Sequence, residues 1–394
     1  MIIPRQLQPV LLSRATQYPV VTVTGPRQSG KTTLCRQTFP DKPYTNLERP
    51  DLRDFARSDP RAFLAQFDER GAIIDEIQRV PELLSWIQVE VDENKQMGQF
   101  ILTGSHQFDL SREISQSLAG RTALLKLLPL SISELSGVKE NEALSTDAII
   151  HRGGYPRIFE QQLDPAMVLG DYFETYVQRD LRALIQLKNI QLFEKFVRLA
   201  AGRVGQVANM NSMANDIGVS SNTITEWVSL LEASFITFRL PPWFANIGKR
   251  LIKSPKLYFY DVGLATWLMG ITREEHLAVH PLRGHLFENL IVLEMLKSIH
   301  NRGDKPNMFF YRDSAKNEVD IVLEAGDGLS LLEVKSAQTV ASDAMRPTRK
   351  IAEILGDRVK GMSLIYGGED YQKRTDFEVV PYRAVDSWLY PKAH

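Results

Sequence analysis

Gly25-Pro-Arg-Gln-Ser-Gly-Lys-Thr32 is the stretch on which the reading of this chain turns. It fits the pattern G-x-x-x-x-G-K-[ST], and its surroundings fit too. Pro19-Val-Val-Thr-Val-Thr24, just before it, is the short β-branched run of a buried parallel strand. Thr32-Thr-Leu-Cys-Arg-Gln, just after it, reads as a helix. Gly25 and Gly30 allow backbone N–H groups to turn inward onto phosphate oxygens, and a helix N-terminus adds its dipole. Pro26, Arg27, Gln28 and Ser29 form the wall of this cradle. Lys31 can reach the terminal phosphates, Thr32 can hold a divalent ion, and Thr33 completes the expected set. The bland alternative is a glycine-rich turn without a ligand.

Three segments extend the argument outward. Ala72-Ile-Ile-Asp75-Glu76 is an apolar strand ending in two carboxylates. Asp75 is expected to hold Mg²⁺ through water and Glu76 to polarise an attacking water. Two solvated acids in a loop are the alternative. Gln99-Phe-Ile-Leu102 is a third strand, ending in Thr103-Gly-Ser105. Thr103 or Ser105 there can sense a γ-phosphate from between the two motif strands, or simply end the strand. A helix-like stretch, Ser111–Ala119, leads to Gly120-Arg121 and the strand Thr122–Leu128. Arg121 is expected to reach the γ-phosphate of a neighbouring subunit, which makes a homo-oligomer an expected partner. Otherwise it is a cation at a helix C-terminus.

The order of Gly25–Thr32, Ile73-Ile-Asp-Glu76, Ile101-Leu-Thr-Gly-Ser105, Ala119-Gly-Arg121 and Leu128-Pro-Leu-Ser-Ile-Ser-Glu134, followed by Gly153-Gly-Tyr-Pro156, resembles the AAA-type ATPases of prokaryotes that carry a C-terminal domain of unknown function, DUF4143. The resemblance covers nearly the whole chain. The first two motifs are shared by many ATPases, and the later ones narrow the match. It implies ATP and Mg²⁺ as ligands and ATP hydrolysis as the activity.

Residues 157–200 read as helices, with Tyr172, Tyr176, Leu181 and Leu184 on one face and Arg179-Asp180 on a solvated or functional one. Asn211–Gly218 and Val219–Leu231 have the form of a helix-turn-helix. Ser220 or Ser221 caps the second helix, Ile224, Val228 and Leu231 face inward, and Asn222, Thr223 and Glu226 face out. Phe235–Leu240 and Pro255–Tyr260 suggest a wing. Lys249, Arg250, Lys253 and Lys256 can contact phosphates, so DNA is a candidate partner. The alternative is a winged helix that only packs between domains.

The last third carries a second constellation. Gly284–Lys297 is strongly helical and contains Glu288. Met308–Arg312 reads as a strand, and Glu318–Leu323 pairs with Leu331–Lys335 across the turn Gly326-Asp-Gly328. Asp320 and Glu333 can share a divalent ion, with Glu288 joining from the helix. Glu333 and Lys335, two apart, project on one face, where Lys335 can orient water or stabilise a phosphate. The pattern resembles the PD-(D/E)xK nucleases, with Val319 in place of the proline. Mg²⁺ or Mn²⁺ is the expected ion. The alternative is a sheet with ordinary charge pairs, in which Lys335 merely relieves the repulsion.

The 394 residues suggest two or three domains, and the net charge of −1 excludes a global basic field. Cys35 is the sole cysteine, so no internal disulfide forms. No apolar run is long enough to cross a bilayer and the first residues lack a signal-like core, so a cytoplasmic protein without a membrane partner is expected. The expected fold is α/β. It has a P-loop ATPase domain with a parallel sheet over 1–150, a helical lid and winged-helix domain over 151–275, and a restriction-endonuclease-like α/β domain over 276–394.

Overall fold

The structure, a computed structural model, describes residues 2–67, 69–105, 117–138, 141, 144–177, 190–244, 254–326 and 328–391. Two compact units emerge. The first comprises Met1–Leu130, Glu232–Phe235 and Ile299–Asp304, and the second Ser131–Leu231, Ile236–Ser298 and Lys305–His394.

In the first unit the β-branched run after Pro19 forms β1 (Val20–Thr24). It joins β2 (Tyr44–Asn46), β3 (Ala72–Asp75), β4 (Phe100–Gly104) and β5 (Thr122–Lys126) in the order β2-β3-β4-β1-β5. Every pairing is parallel. Such a sheet must be covered on both faces, and alternation along the strands supplies two cores. Val21, Val23, Ile73, Ile101 and Leu125 pack against Leu7, Leu11, Leu34 and Cys35 from the helices that run through Gln8–Ala15 and Lys31–Thr38 and the turn before the first. Val20, Ala72, Ile74, Phe100 and Leu102 pack the other way, against helices Pro60–Ala65 and Leu83–Asn94. Burial pushes the Cys35 thiol far up, so this cysteine acts as a small apolar side chain. The helix-like stretch Ser111–Ala119 lies largely outside the described residues.

The second unit begins with short helices and contains helices Met210–Ile217 and Ser221–Ala233. Gly218, at φ 86°, ends the first of these in the left-handed region, and Ser220 Oγ accepts from Thr223 N to start the second. Ile224, Val228 and Leu231 are buried, while Asn222, Thr225 and Glu226 are exposed. An antiparallel pair follows, β6 (Thr237–Leu240) and β7 (Lys256–Phe259). Leu181, Leu184, Arg179-Asp180, Lys249, Arg250 and Lys253 lie outside the described residues.

Helix Arg283–Asn301 precedes a mixed six-stranded sheet. Its strands are β8 (Met308–Arg312), β9 (Glu318–Ala325), β10 (Gly328–Lys335), β11 (Val359–Tyr366), β12 (Gln372–Lys373) and β13 (Glu378–Pro381). The order is β12-β13-β11-β10-β9-β8. β9 and β10 form the expected hairpin, with Ala325 opposite Gly328 and Ile321 opposite Leu332. Helix Arg346–Leu355 covers one face through Ile351, against Val319, Val322 and Leu331. Among the described residues no helix is long and apolar enough to cross a membrane.

Candidate functional site

The loop after β1 has the backbone its glycines allow. Gly25 lies at φ 148°, Gln28 at 60° and Gly30 at 92°. A Cβ on Gly25 would stand 2.1 Å from the Leu127 carbonyl oxygen, so only glycine fits where the strand enters the loop. Gly30 caps the helix Lys31–Thr38, and Leu34 N donates to Gly30 O. The N–H groups of Lys31, Thr32 and Thr33 therefore precede the first intrahelical bond and point along the helix axis toward the cradle. Lys31 is buried, and its Nζ donates to Gly25 O at 3.0 Å and Pro26 O at 2.7 Å. Burial lowers its pKa to about 8, against the opposing pull of Glu76 and Asp75.

Asp75, at the end of β3, gathers three hydroxyls. Thr32 Oγ1 donates at 3.0 and 3.1 Å, Tyr44 Oη at 2.8 Å, and Thr103 Oγ1 closes the set from β4. The threonine–aspartate pair expected to hold Mg²⁺ is thus assembled. Glu76 follows at φ 58°, a left-handed conformation that costs a non-glycine residue free energy. Its Oε2 accepts from Ser105 Oγ at 3.1 Å and from Gln78 Nε2, which also donates to Ser105 Oγ at 3.1 Å. β4 lies between β3 and β1, so Thr103 and Ser105 reach the carboxylates from between the motif strands.

Ser29 Oγ and Gln78 Oε1 are buried and have no hydrogen-bond partner among the described residues. Buried polar groups are rarely left so, and a phosphate-bearing ligand in the loop would give Ser29 its acceptor. The donor set fits MgATP: an ammonium, a run of helix N–H groups, a hydroxyl wall and a threonine–aspartate pair.

Arg121 lies away from the phosphate loop of its own chain. The parallel register sets Thr122 opposite Val20, so Arg121 precedes β5 at the end of the sheet where β1 begins. The phosphate loop leaves β1 at the other end, roughly 15 Å away at strand rise. Its guanidinium is engaged with Asp92, at 2.6 and 2.8 Å, and with Ala119 O at 3.1 Å. It does not share an edge with its own nucleotide loop.

Sequence reasoning missed Arg5, Tyr44 and Gln78. Arg5 donates from its two terminal nitrogens to Ser29 O and Leu128 O, both at 2.6 Å, and so ties the loop to the strand-end beside it. Arg5→Ala is expected to weaken binding of a non-hydrolysable ATP analogue by roughly tenfold, the worth of a charged hydrogen bond to the loop. Calorimetry checks this, and unchanged affinity in a folded variant would make Arg5 a bystander.

The C-terminal constellation also forms, with an unforeseen member. Glu288, on helix Arg283–Asn301, accepts at Oε1 from Lys256 Nζ at 2.8 Å and from Tyr258 Oη at 2.5 Å. Lys256 Nζ also lies 2.6 Å from Glu318 Oε1 and 3.7 Å from Asp320 Oδ1. Asp320 Oδ2 accepts from Val334 N at 2.9 Å. Glu333 accepts from Lys335 Nζ at 2.6 Å and Thr348 Oγ1 at 2.9 Å. Burial, with Asp320 nearby, raises both Glu288 and Glu333 to about 7. Burial opposes the charge on Lys256, yet Tyr258 and the surrounding carboxylates outweigh it and hold the ammonium protonated.

Asp320 lies beside both Glu288 and Glu333, so the three carboxylates expected to share a metal are neighbours. Among the described residues no group of three or more His, Cys, Asp or Glu is arranged to hold a metal ion. The Lys256 ammonium stands between Glu288, Glu318 and Asp320. Lys335 is the charge partner of Glu333. Lys256, expected among phosphate-facing cations, is buried.

An AAA domain matches residues 17–136, a domain of unknown function (DUF8612) residues 144–275, and a second (DUF4143) residues 283–385. An uncharacterized protein of Mycobacterium tuberculosis, Rv2008c, is 31% identical over 377 residues, which span 94% of this chain and 81% of that protein. An uncharacterized protein of Methanocaldococcus jannaschii, MJ1544, is 24% identical over 92% of this chain and 87% of its own length. Among solved structures, the Walker-type ATPase PABY2304 of Pyrococcus abyssi is similar over 68% of this chain and 96% of its own, at 16% identity and a TM-score of 0.46. With its phosphate loop, its parallel five-stranded sheet and these matches along nearly its full length, the chain belongs to the family of P-loop, AAA-domain proteins that end in a DUF4143 domain.

Proposed function

We propose that the protein hydrolyses ATP in a Mg²⁺-dependent reaction at the loop Gly25–Thr32. The observation that carries this is the convergence of Lys31, Thr32, Asp75 and Glu76 at one end of the parallel sheet. Lys31 and the helix N–H groups hold the phosphates, and Ser29 closes the wall. Thr32 and Asp75 would hold Mg²⁺, which supplies charge neutralisation on the phosphate oxygens. Glu76 accepts a proton from the attacking water. Gln78 and Ser105 fix where its carboxylate lies.

Phosphate release from ATP tests the proposal. Release is expected with Mg²⁺ and not with excess EDTA. Affinity for an ATP analogue carries a pH signature. Lys31 is charged below about 8, and phosphates favour that charged form. Affinity should be flat near neutrality and fall up to about tenfold per unit as pH rises past about 8. Magnesium-independent release, or none, would overturn the assignment.

The C-terminal half supports a binding role better than cutting. Lys256 stands against Glu288 and Asp320, two of the three carboxylates a nuclease would use for metal. The exposed residues Asn222, Thr225 and Glu226 of the second helix of the helix-turn-helix include no cation for DNA phosphates. On this reading the nucleotide state switches a C-terminal module that engages a partner without cleaving it. Incubating the protein with single- and double-stranded DNA, ATP and Mn²⁺ decides: intact DNA agrees, and cleavage that Asp320→Asn abolishes restores the nuclease.

A further inference from the structure

We propose that the Lys256 ammonium is the resident counter-cation of the C-terminal carboxylate cluster, standing where a divalent ion would have to bind and bolting the β6–β7 pair to helix Arg283–Asn301 and to β9. The sequence sets this up by strand periodicity. Lys256 and Tyr258 are two apart on β7, so both project from one face, and both reach Glu288 Oε1. The next residue of the helix, Asn289, bonds the backbone of β7, accepting from Phe259 N at 2.7 Å and donating to Phe259 O at 3.0 Å. One helical turn thus grips the strand through its backbone while the adjacent carboxylate grips its side chains. The ammonium also sits 5.6 Å from the Phe310 ring centre, a further contact that favours a cation.

Charge and distance explain why a metal and this lysine exclude one another. Glu288, Glu318, Asp320 and Glu333 are four carboxylates, and they face three cations: Lys256, Arg312, which is 3.3 Å from Glu318 Oε2, and Lys335. The residue is about one negative charge, which the upward shift of Glu288 and Glu333 further reduces. A divalent ion bound by these oxygens would sit about 2.0–2.6 Å from them. Lys256 Nζ already lies at hydrogen-bond distance from Glu288 and Glu318 and 3.7 Å from Asp320 Oδ1, so an ion bound through Glu288 or Glu318 would overlap the ammonium. Lys256 is almost wholly buried, and leaving its partners uncompensated is strongly unfavourable.

The test is a Mn²⁺ titration of the full chain without nucleotide, by calorimetry and by electron paramagnetic resonance of free Mn²⁺. Wild type and Asp320→Asn should give the same isotherm, because the cluster takes no ion in either. Lys256→Gln should gain one Mn²⁺ per chain, and Lys256→Gln combined with Asp320→Asn should lose it again. Wild-type Mn²⁺ binding that Asp320→Asn abolishes overturns the proposal, and so does a folded Lys256→Gln variant that gains no ion. If Lys256→Gln is too unstable to titrate, its melting temperature should rise with Mn²⁺ while that of wild type stays put. An equal response in the two would also overturn it. ATP hydrolysis assayed on the same samples reports on the phosphate loop separately, so the two readings can fail independently.

Discussion

Glu76→Gln is expected to lower ATP turnover by about 10²–10³-fold while leaving affinity for MgATP within about threefold. The substitution keeps size and one acceptor oxygen, so the contact from Ser105 that positions Oε2 is preserved. What it removes is the ability to take a proton from water. The phosphate contacts come from other residues: Lys31, the helix N–H groups, Thr32 and Asp75. Binding and turnover should therefore separate. The left-handed backbone of Glu76 adds to the expectation, because a residue held at φ 58° is more simply explained by a placed carboxylate than by a turn. Parallel measurement of kcat and of analogue affinity checks it. A fall in both together would mean that Glu76 supports the loop rather than the reaction.

Gly153→Ala is expected to destabilise the second unit by about 3 kcal/mol or more. Gly153 ends helix Thr146–Arg152 at φ 68° and ψ −151°, a region that glycine alone visits freely. A Cβ there would meet Asp261 Oδ1 at 2.3 Å. Asp261 cannot yield without loss. It is buried, it caps helix Val262–Leu268 by accepting from Leu264 N at 2.8 Å, and it accepts from Gly154 N at 2.7 Å. Burial raises its pKa, and these backbone donors pull the other way. Gly263 completes the contact, since a Cβ on it would lie 2.6 Å from Gly153 N. The Gly153-Gly-Tyr-Pro156 stretch is thus a place where two backbones touch across a carboxylate. Denaturant unfolding followed by tyrosine and tryptophan fluorescence measures the effect, and an unchanged midpoint would remove this account of the motif.

Much of the nucleotide site was legible because its parts are local. A strand, a glycine loop and a helix follow one another between Val20 and Thr38, and the Asp75-Glu76 pair closes its own strand. The place of β4 between the two motif strands also came from that pattern. Arg5, Tyr44 and Gln78 were not legible, because each acts through a contact whose geometry no short pattern encodes. Arg5 reaches Leu128, 123 positions along the chain. Arg121 is set apart from its own loop by a feature present in the sequence. It stands before its strand, whereas ligand sites of parallel sheets lie beyond the carboxyl ends of theirs. Lys256 looked like one more surface cation beside Lys253. Its burial depends on Glu288 and Glu318, 32 and 62 residues away in the chain, and local composition carries no trace of that.

Gly25–Thr32 with Asp75 and Glu76 is expected to bind and hydrolyse ATP. The most direct measurement is the identity of the nucleotide recovered from the protein. Wild type and Glu76→Gln are incubated with ATP and Mg²⁺, separated rapidly from free nucleotide, denatured, and the bound nucleotide is resolved by chromatography. ADP is expected from wild type and intact ATP from Glu76→Gln, in comparable amounts per chain. ADP from both, or no nucleotide from either, would contradict it.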